Sequence, residues 1–187
     1  MKKGEARKQQ LLELLADHVL AHGLQGASLR PLAAAVGTSD RMLLHYFADK
    51  DELMTATLTL VSRRLVALLE SARAEQMPFE RLIAHVAVMI KDPLVRPYLR
   101  LWLELLPFAA GGNAPFGAVA GSIFTTFLEW IAAALAVERE EDRAPLAALA
   151  LAIIEGFVLF DALGDDSKLS AALAGLALLP AARRGAA

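Results

Sequence analysis

The chain has 187 residues, enough for a substantial core, and its 19 lysines and arginines against 21 acids leave a net charge of −2. That balance excludes a protein that binds nucleic acid over its whole surface, and the absence of cysteine excludes disulfide frameworks and thiolate-held zinc or iron–sulfur sites. Charge is unevenly placed: residues 1–64 hold nine basic and seven acidic side chains, residues 65–187 ten and fourteen, and a mildly basic head on an acidic body fits a localised DNA footprint.

In chain order, residues 5–22 predict a first helix, with Leu11, Leu12, Leu15, Ala16, Val19 and Leu20 on one side and Gly23 as its stop. After a loop over 24–27, the stretch SLRPLAAAVGTSDRMLLHYFADK (28–50) predicts two short helices around a tight turn. Ser28 suits the cap of the first, and Pro31 falls in its first turn, where a missing N–H is harmless. Leu29, Leu32, Ala33 and Val36 make one apolar stripe. Gly37 supplies the turn, and Thr38 or Ser39 caps the next helix. That helix keeps Leu43 and Phe47 for a core and carries Asp40, Arg41, His45 and Tyr46 on its other face. Two closely crossed helices, the second polar and exposed, form the helix-turn-helix pattern that enters the DNA major groove.

Specific chemistry follows from those side chains. The Arg41 guanidinium can grip guanine O6 and N7 as a fork, and Asp40 can accept from cytosine N4. His45 and Tyr46 suit thymine methyls or phosphates. Ser39 stands at the start of the same helix. Lys50 beside Asp49 opposes the dipole of the helix it opens, a penalty that a nearby phosphate reverses. Ser28 and Arg30 suit a second phosphate. Lys2, Lys3, Arg7 and Lys8 read either as a basic arm or as ordinary solubilising charges.

The segment from about residue 7 to 58 resembles the N-terminal domain of TetR-family transcriptional regulators. The motifs that carry the resemblance are AHG at 21–23, SLRPLAAAVGTS at 28–39 and LLHYFADKDEL at 43–53. Thr38 stands where valine is commoner in that family. Leu44 replaces a tyrosine that often touches the DNA backbone, so no phosphate contact carries over to it. The resemblance implies an all-α protein. It would have a helix-turn-helix DNA-binding head over 1–50 and a helical effector-binding and dimerisation body over 51–187. It also implies a phosphate-binding role for Lys50.

Asp49 and Glu52 predict a capping-box start for a fourth helix reaching about residue 73, with Met77 and Pro78 marking its boundary. Residues 79–91 are amphipathic through Leu82, Val86, Met89 and Ile90, and Asp92-Pro93 and Arg96-Pro97 give two restarts. Helices are expected over 98–108, 116–137, 144–164 and 167–179, followed by a frayed tail.

The two long helices are apolar on more than one face, and Ala148, Ala152 and Gly156 recur at every fourth residue. Such helices need cover on all sides, so 116–137 and 144–164 are expected to pair with their copies in a homodimer. A membrane span is not expected. Pro107, Gly111, Gly112 and Pro115 interrupt the charge-free run 105–128, and Glu155 and Asp161 would each cost about 2.5–3.5 kcal/mol at membrane depth. With no apolar signal after Met1, a cytoplasmic location is expected.

Trp102, Phe108, Phe124 and Phe157, with His85, Met89 and Glu104, have the composition of a pocket for a small apolar effector, which the resemblance also implies. No cofactor is expected. Enzyme chemistry is poorly supported: His18 and His22 stand one turn apart without a third ligand, and neither a nucleophile triad nor a phosphate-cradling glycine loop occurs. The expected function is a repressor released by its ligand on a pseudo-palindromic operator; the competing reading is a helical adaptor that binds protein rather than DNA.

Overall fold

Apart from one isolated bridge between Met77 and Leu135, every regular element among the described residues is helical. The computed structural model describes residues 3–24, 27–72 and 75–184. Its helices are α1 (Lys3–His22), α2 (Leu29–Ala35), α3 (Asp40–Tyr46), α4 (Lys50–Ala72), α5 (Phe79–Ile90), α6 (Arg96–Ala110), α7 (Ala114–Ala134), α8 (Arg143–Ala162) and α9 (Asp166–Arg184). The fold is all-α, as expected. The last helix runs five residues beyond its expected end, and α6 continues past Pro107 by most of a turn. Lys2, the side chain of Lys3 and the final residues 185–187 of the expected tail lie outside the described residues.

Packing divides the chain into two compact units, one of residues 1–70 and 97–125, the other of 71–96 and 126–187. The first unit therefore gathers more of the chain than the first fifty residues. Its core takes Leu11, Leu15, Ala16 and Val19 from α1, a stripe set by helical spacing, together with Leu32, Ala33 and Val36, Leu43, and Phe47. Leu53, Met54, Leu58 and Val61 of α4, Leu101 and Leu105 of α6, and Val119 and Ala120 of α7 complete it. Thr57, also fully buried, satisfies its hydroxyl by donating to the Leu53 carbonyl at 2.8 Å.

Within this unit α6 holds the end of α1. Gly23 lies in the left-handed region at φ +79°, and the next amide, Leu24 N–H, donates to Glu104 Oε2 at 2.6 Å. Arg100 of α6 donates to the Leu20 and Ala21 carbonyls at 3.1 and 3.0 Å. A carbonyl-rich helix end thus meets a cation, and its following amide meets an anion. On α4, Arg64 binds Asp17 at 2.7 Å and also pairs with Glu13. The Arg64 hydrogen bond, then that of Gln9, holds the Glu13 carboxyl below its ordinary range.

The second unit is built on α5 against α8. Leu82, Ile83, Val86, Ala87 and Ile90 are buried on α5, and Ala147, Ala150, Leu151, Ile154, Phe157 and Val158 on α8. Leu169 of α9 joins the buried set. Asp161, which stands on an otherwise apolar helix, pairs with Arg96 at 2.7 Å, and Lys91 pairs with Asp166 at 2.7 Å. The end of α7 leaves carbonyls without helical partners, and each finds another donor. Arg143 donates to Ala132 and Leu135, Gln76 to Ala133, and the Met77 amide to Ala134.

Two stretches, Phe116–Ala134 and Glu140–Ala162, are long and apolar enough to cross a membrane by length and composition alone. On α8, Leu149 and Leu159 are each 50% exposed, and Ala148 and Ala152 are exposed beside them.

Candidate nucleic-acid interface

The turn between α2 and α3 is built from the Ala33–Thr38 backbone. Gly37 N–H donates to the Ala34 carbonyl and Thr38 N–H to the Ala33 carbonyl, at 3.2 and 2.9 Å. This paired 5→2 and 6→1 closure requires a left-handed residue, and Gly37 supplies it at φ +67°. Ser39 then caps α3, its hydroxyl accepting from Met42 N–H at 3.3 Å. Of the two caps that the sequence allows, Thr38 and Ser39, it is Ser39 that takes the role. Ser28 occupies the N-cap position of α2 in an extended conformation, but its hydroxyl makes no capping hydrogen bond.

Seven residues of α3 divide by helical geometry around one buried side chain, Leu43. Arg41 and His45, one turn apart, stand opposite it and are exposed. Between them and the buried side lie Met42 and Leu44, each 43% exposed. Asp40 and Tyr46 lie closest to Leu43 and are half-buried. Tyr46 packs against the core of the unit, its ring edge-on to His45 with centroids 5.1 Å apart. The outward face therefore differs from the expected one. Arg41 and His45 form its centre, Met42 and Leu44 its flanks, and the Tyr46 ring is turned partly inward. From sequence, Leu43 and Phe47 are kept for the core, and it is the phase of the helix that sets Met42 and Leu44 at the flanks.

Lys50 is exposed as the first residue of α4 and is held in place by its neighbours. Asp49 accepts from Glu52 N–H at 2.7 Å, and Glu52 Oε2 accepts from Ala48 N–H at 2.6 Å, the expected reciprocal capping shifted by one residue on its second half. Lys8 Nζ reaches Glu52 at 3.0 Å and sits 4.5 Å from the Phe47 ring centroid. The Ala48 amide, then Lys8, holds the Glu52 carboxyl below its ordinary range. Lys8 is thus part of the α1–α4 packing rather than of an arm, and Arg7 bonds to Gln10 at 2.7 Å. Ser28 and Arg30 are exposed at the start of α2. His18 and His22 stack at 4.3 Å between ring centroids; burial, then the charge of His22, lowers the His18 pKa.

Residues 11–57 match the sequence profile of the bacterial regulatory proteins of the tetR family, the segment that holds α2, the Gly37 turn and α3. That segment, about a quarter of the chain, is similar to the tetR-family domain. Over 102 residues the chain is 35% identical to the HTH-type transcriptional regulator BetI of Burkholderia ambifaria, covering 53% of each protein. It spans about half the length of the curated relatives it matches. Among solved structures it is similar to a transcriptional regulator from Rhodococcus sp. Rha1, with 25% identity, a TM-score of 0.67, and coverage of 86% of this chain and 85% of the other. A Rhodococcus sp. protein assigned to the TetR-family transcriptional regulators shares the fold at a TM-score of 0.71 and 21% identity, over 92% and 97% of the two chains.

The seven residues expected to meet an effector are divided between the units. Trp102, Glu104, Phe108 and Phe124 belong to the first, and His85, Met89 and Phe157 to the second. Glu104 accepts from the Leu24 amide, Phe108 meets Phe116 at 5.3 Å between centroids, and Phe124 is 45% exposed. In the second unit Phe157 is buried, while His85 and Met89 are half-buried. Trp130 is a candidate that no feature of the sequence singles out. It is only 5% exposed, and its indole N–H is the one buried side-chain donor without a partner among the described residues.

Proposed function

We propose that this chain is a TetR-type transcriptional regulator that binds duplex DNA through α3. The observation that carries the proposal is the Gly37 turn followed by α3 with Arg41 and His45 exposed opposite a buried Leu43. A seven-residue helix with one fully buried side chain and a cation at its outward centre suits a major groove. Arg41 reads a guanine, His45 contacts a base or phosphate beside it, and Asp40, Ser39 and Tyr46 support α3 at its edges. Lys50, Arg30 and Ser28 face phosphates and set the register.

The active species proposed is a homodimer, cytoplasmic and without enzymatic activity. Its expected faces are 116–137 and 144–164; exposed Ala148, Leu149, Ala152 and Leu159 on α8 support the second of these. Two heads would then meet successive major grooves of a pseudo-palindromic operator. The regulator is proposed to repress and to leave DNA when a small, largely apolar effector binds the helical body. Trp130, with a buried donor that has no partner, supports an effector that carries one hydrogen-bond acceptor. His85, Met89 and Phe157 are the partners proposed for it in the same unit.

Fluorescence anisotropy on a random duplex tests the DNA reading. Binding is expected at about 50 mM salt and a loss of several tens-fold or more by about 200 mM, because each neutralised phosphate releases counterions. No binding at low salt, or binding indifferent to salt, would contradict it and favour an adaptor.

A further inference from the structure

We propose that Met42 and Leu44 are sequence-reading residues that recognise the C5-methyl groups of thymines on either side of the base pair gripped by Arg41. The inference rests on the DNA-binding reading of α3 and adds to it which bases the operator must hold.

Exposure sets these two side chains apart from the apolar residues beside them. Met42 and Leu44 are each 43% exposed, while Leu43 between them is fully buried and Phe47 is 1% exposed. Neither flanking side chain contributes to the sealed core of the unit. Both remain where water meets them on a helix only seven residues long. With about 3.6 residues per turn, Leu43 fixes the inward direction, and Met42 and Leu44 then point to opposite sides of the outward line through Arg41 and His45. The surface offered to a groove is consequently a polar centre with an apolar margin on each side.

The thymine methyl is the one alkyl group in the major groove; apart from the small C–H edges of cytosine and the purines, the base-edge features there are hydrogen-bond donors or acceptors. An apolar flank pressed against cytosine N4, adenine N6 or guanine O6 would strip water from a polar atom and return no hydrogen bond. Against a thymine methyl the same flank removes apolar surface from water on both partners. Leu44 also has no polar atom with which to hold a phosphate. Geometry and chemistry therefore assign each half-site a G·C pair flanked on both sides by pairs containing thymine. Met42, long and unbranched, can adapt to a methyl on either strand, whereas branched Leu44 demands a fixed position.

Deoxyuridine provides a direct test, because it differs from thymidine only by that methyl. The duplex of highest affinity recovered from a random pool is resynthesised with deoxyuridine at each thymidine in turn. Binding is measured for the wild-type protein, Met42→Ser and Leu44→Ser. The proposal expects about a three- to fivefold loss at one position on each side of the Arg41-read pair, the size of one buried methyl group. Met42→Ser should erase the loss at one of those positions and Leu44→Ser at the other. Specific binding by the wild type with no response to deoxyuridine at any position would overturn the proposal and leave the DNA-binding reading intact. The proposal also fails if the serine variants bind thymidine and deoxyuridine duplexes with unchanged ratios, since the flanks would then rest on sugar or phosphate. Absence of any selected duplex would remove both.

Discussion

Gly23→Ala is expected to destabilise the protein by about 2–4 kcal/mol. Two causes add at one residue. The backbone sits at φ +79°, where a side chain costs about 1–2 kcal/mol. A β-carbon there would also fall 2.5 Å from Glu104 Oε2 and 2.8 Å from Glu104 Cδ, so the carboxylate must leave the Leu24 amide it binds at 2.6 Å. Loss of a hydrogen bond to a charged group adds about 1.5–3 kcal/mol, moderated because Glu104 remains 23% exposed. Chemical denaturation checks the figure: the midpoint should fall with an unchanged slope. Gly37→Ala is the control, because its left-handed turn has open space around the β-carbon position. It should lose only the backbone part, so equal losses in the two variants would show that Glu104 holds nothing at the end of α1.

Arg41→Ala and Lys50→Ala are expected to weaken DNA binding in different ways. Arg41 is exposed at the centre of the outward face of α3, where a guanidinium can form two hydrogen bonds with guanine. Its removal should cost about 1–3 kcal/mol on the preferred duplex and relax the preference at one or two base pairs, with little change on random DNA. Lys50 opens α4 from a position fixed by Asp49, Glu52 and Ala48. Its loss should weaken all duplexes alike and lower the salt slope by about one. Titrations of both variants against specific and random duplexes over a range of salt check this pair. Identical behaviour of the two variants would mean that Arg41 is a phosphate contact.

Local signals make the head legible from sequence. The α1 stripe, the stop at Gly23, the Gly37 turn and the Asp49–Glu52 capping are each encoded within a few residues, and each forms. What is not legible depends on phase or on distant partners. The sequence keeps Leu43 of the run Met42–Leu44 for the core, as found, but gives its two neighbours no face, and only their exposure sets them at the flanks of the outward side. Tyr46 counts as polar by type, yet its ring packs on the core. Ser28 is a favoured capping residue whose hydroxyl makes no cap. Glu104 has the look of a pocket acid because its partner, the Leu24 amide, lies 80 residues away. The same distance effect hides the fastening of α7 by Gln76, Met77 and Arg143. Nor does periodicity reveal that packing gathers residues 97–125 with the first seventy.

Selection of bound sequences from a random duplex pool tests the central claim most directly. An α3 face centred on Arg41, used twice by a two-fold dimer, predicts a pseudo-palindromic motif whose half-sites are spaced about 34–36 Å, or one helical turn, apart. A recovered pool without a shared motif, or one enriched equally by wild type and Arg41→Ala, would contradict the assignment of this face to the major groove.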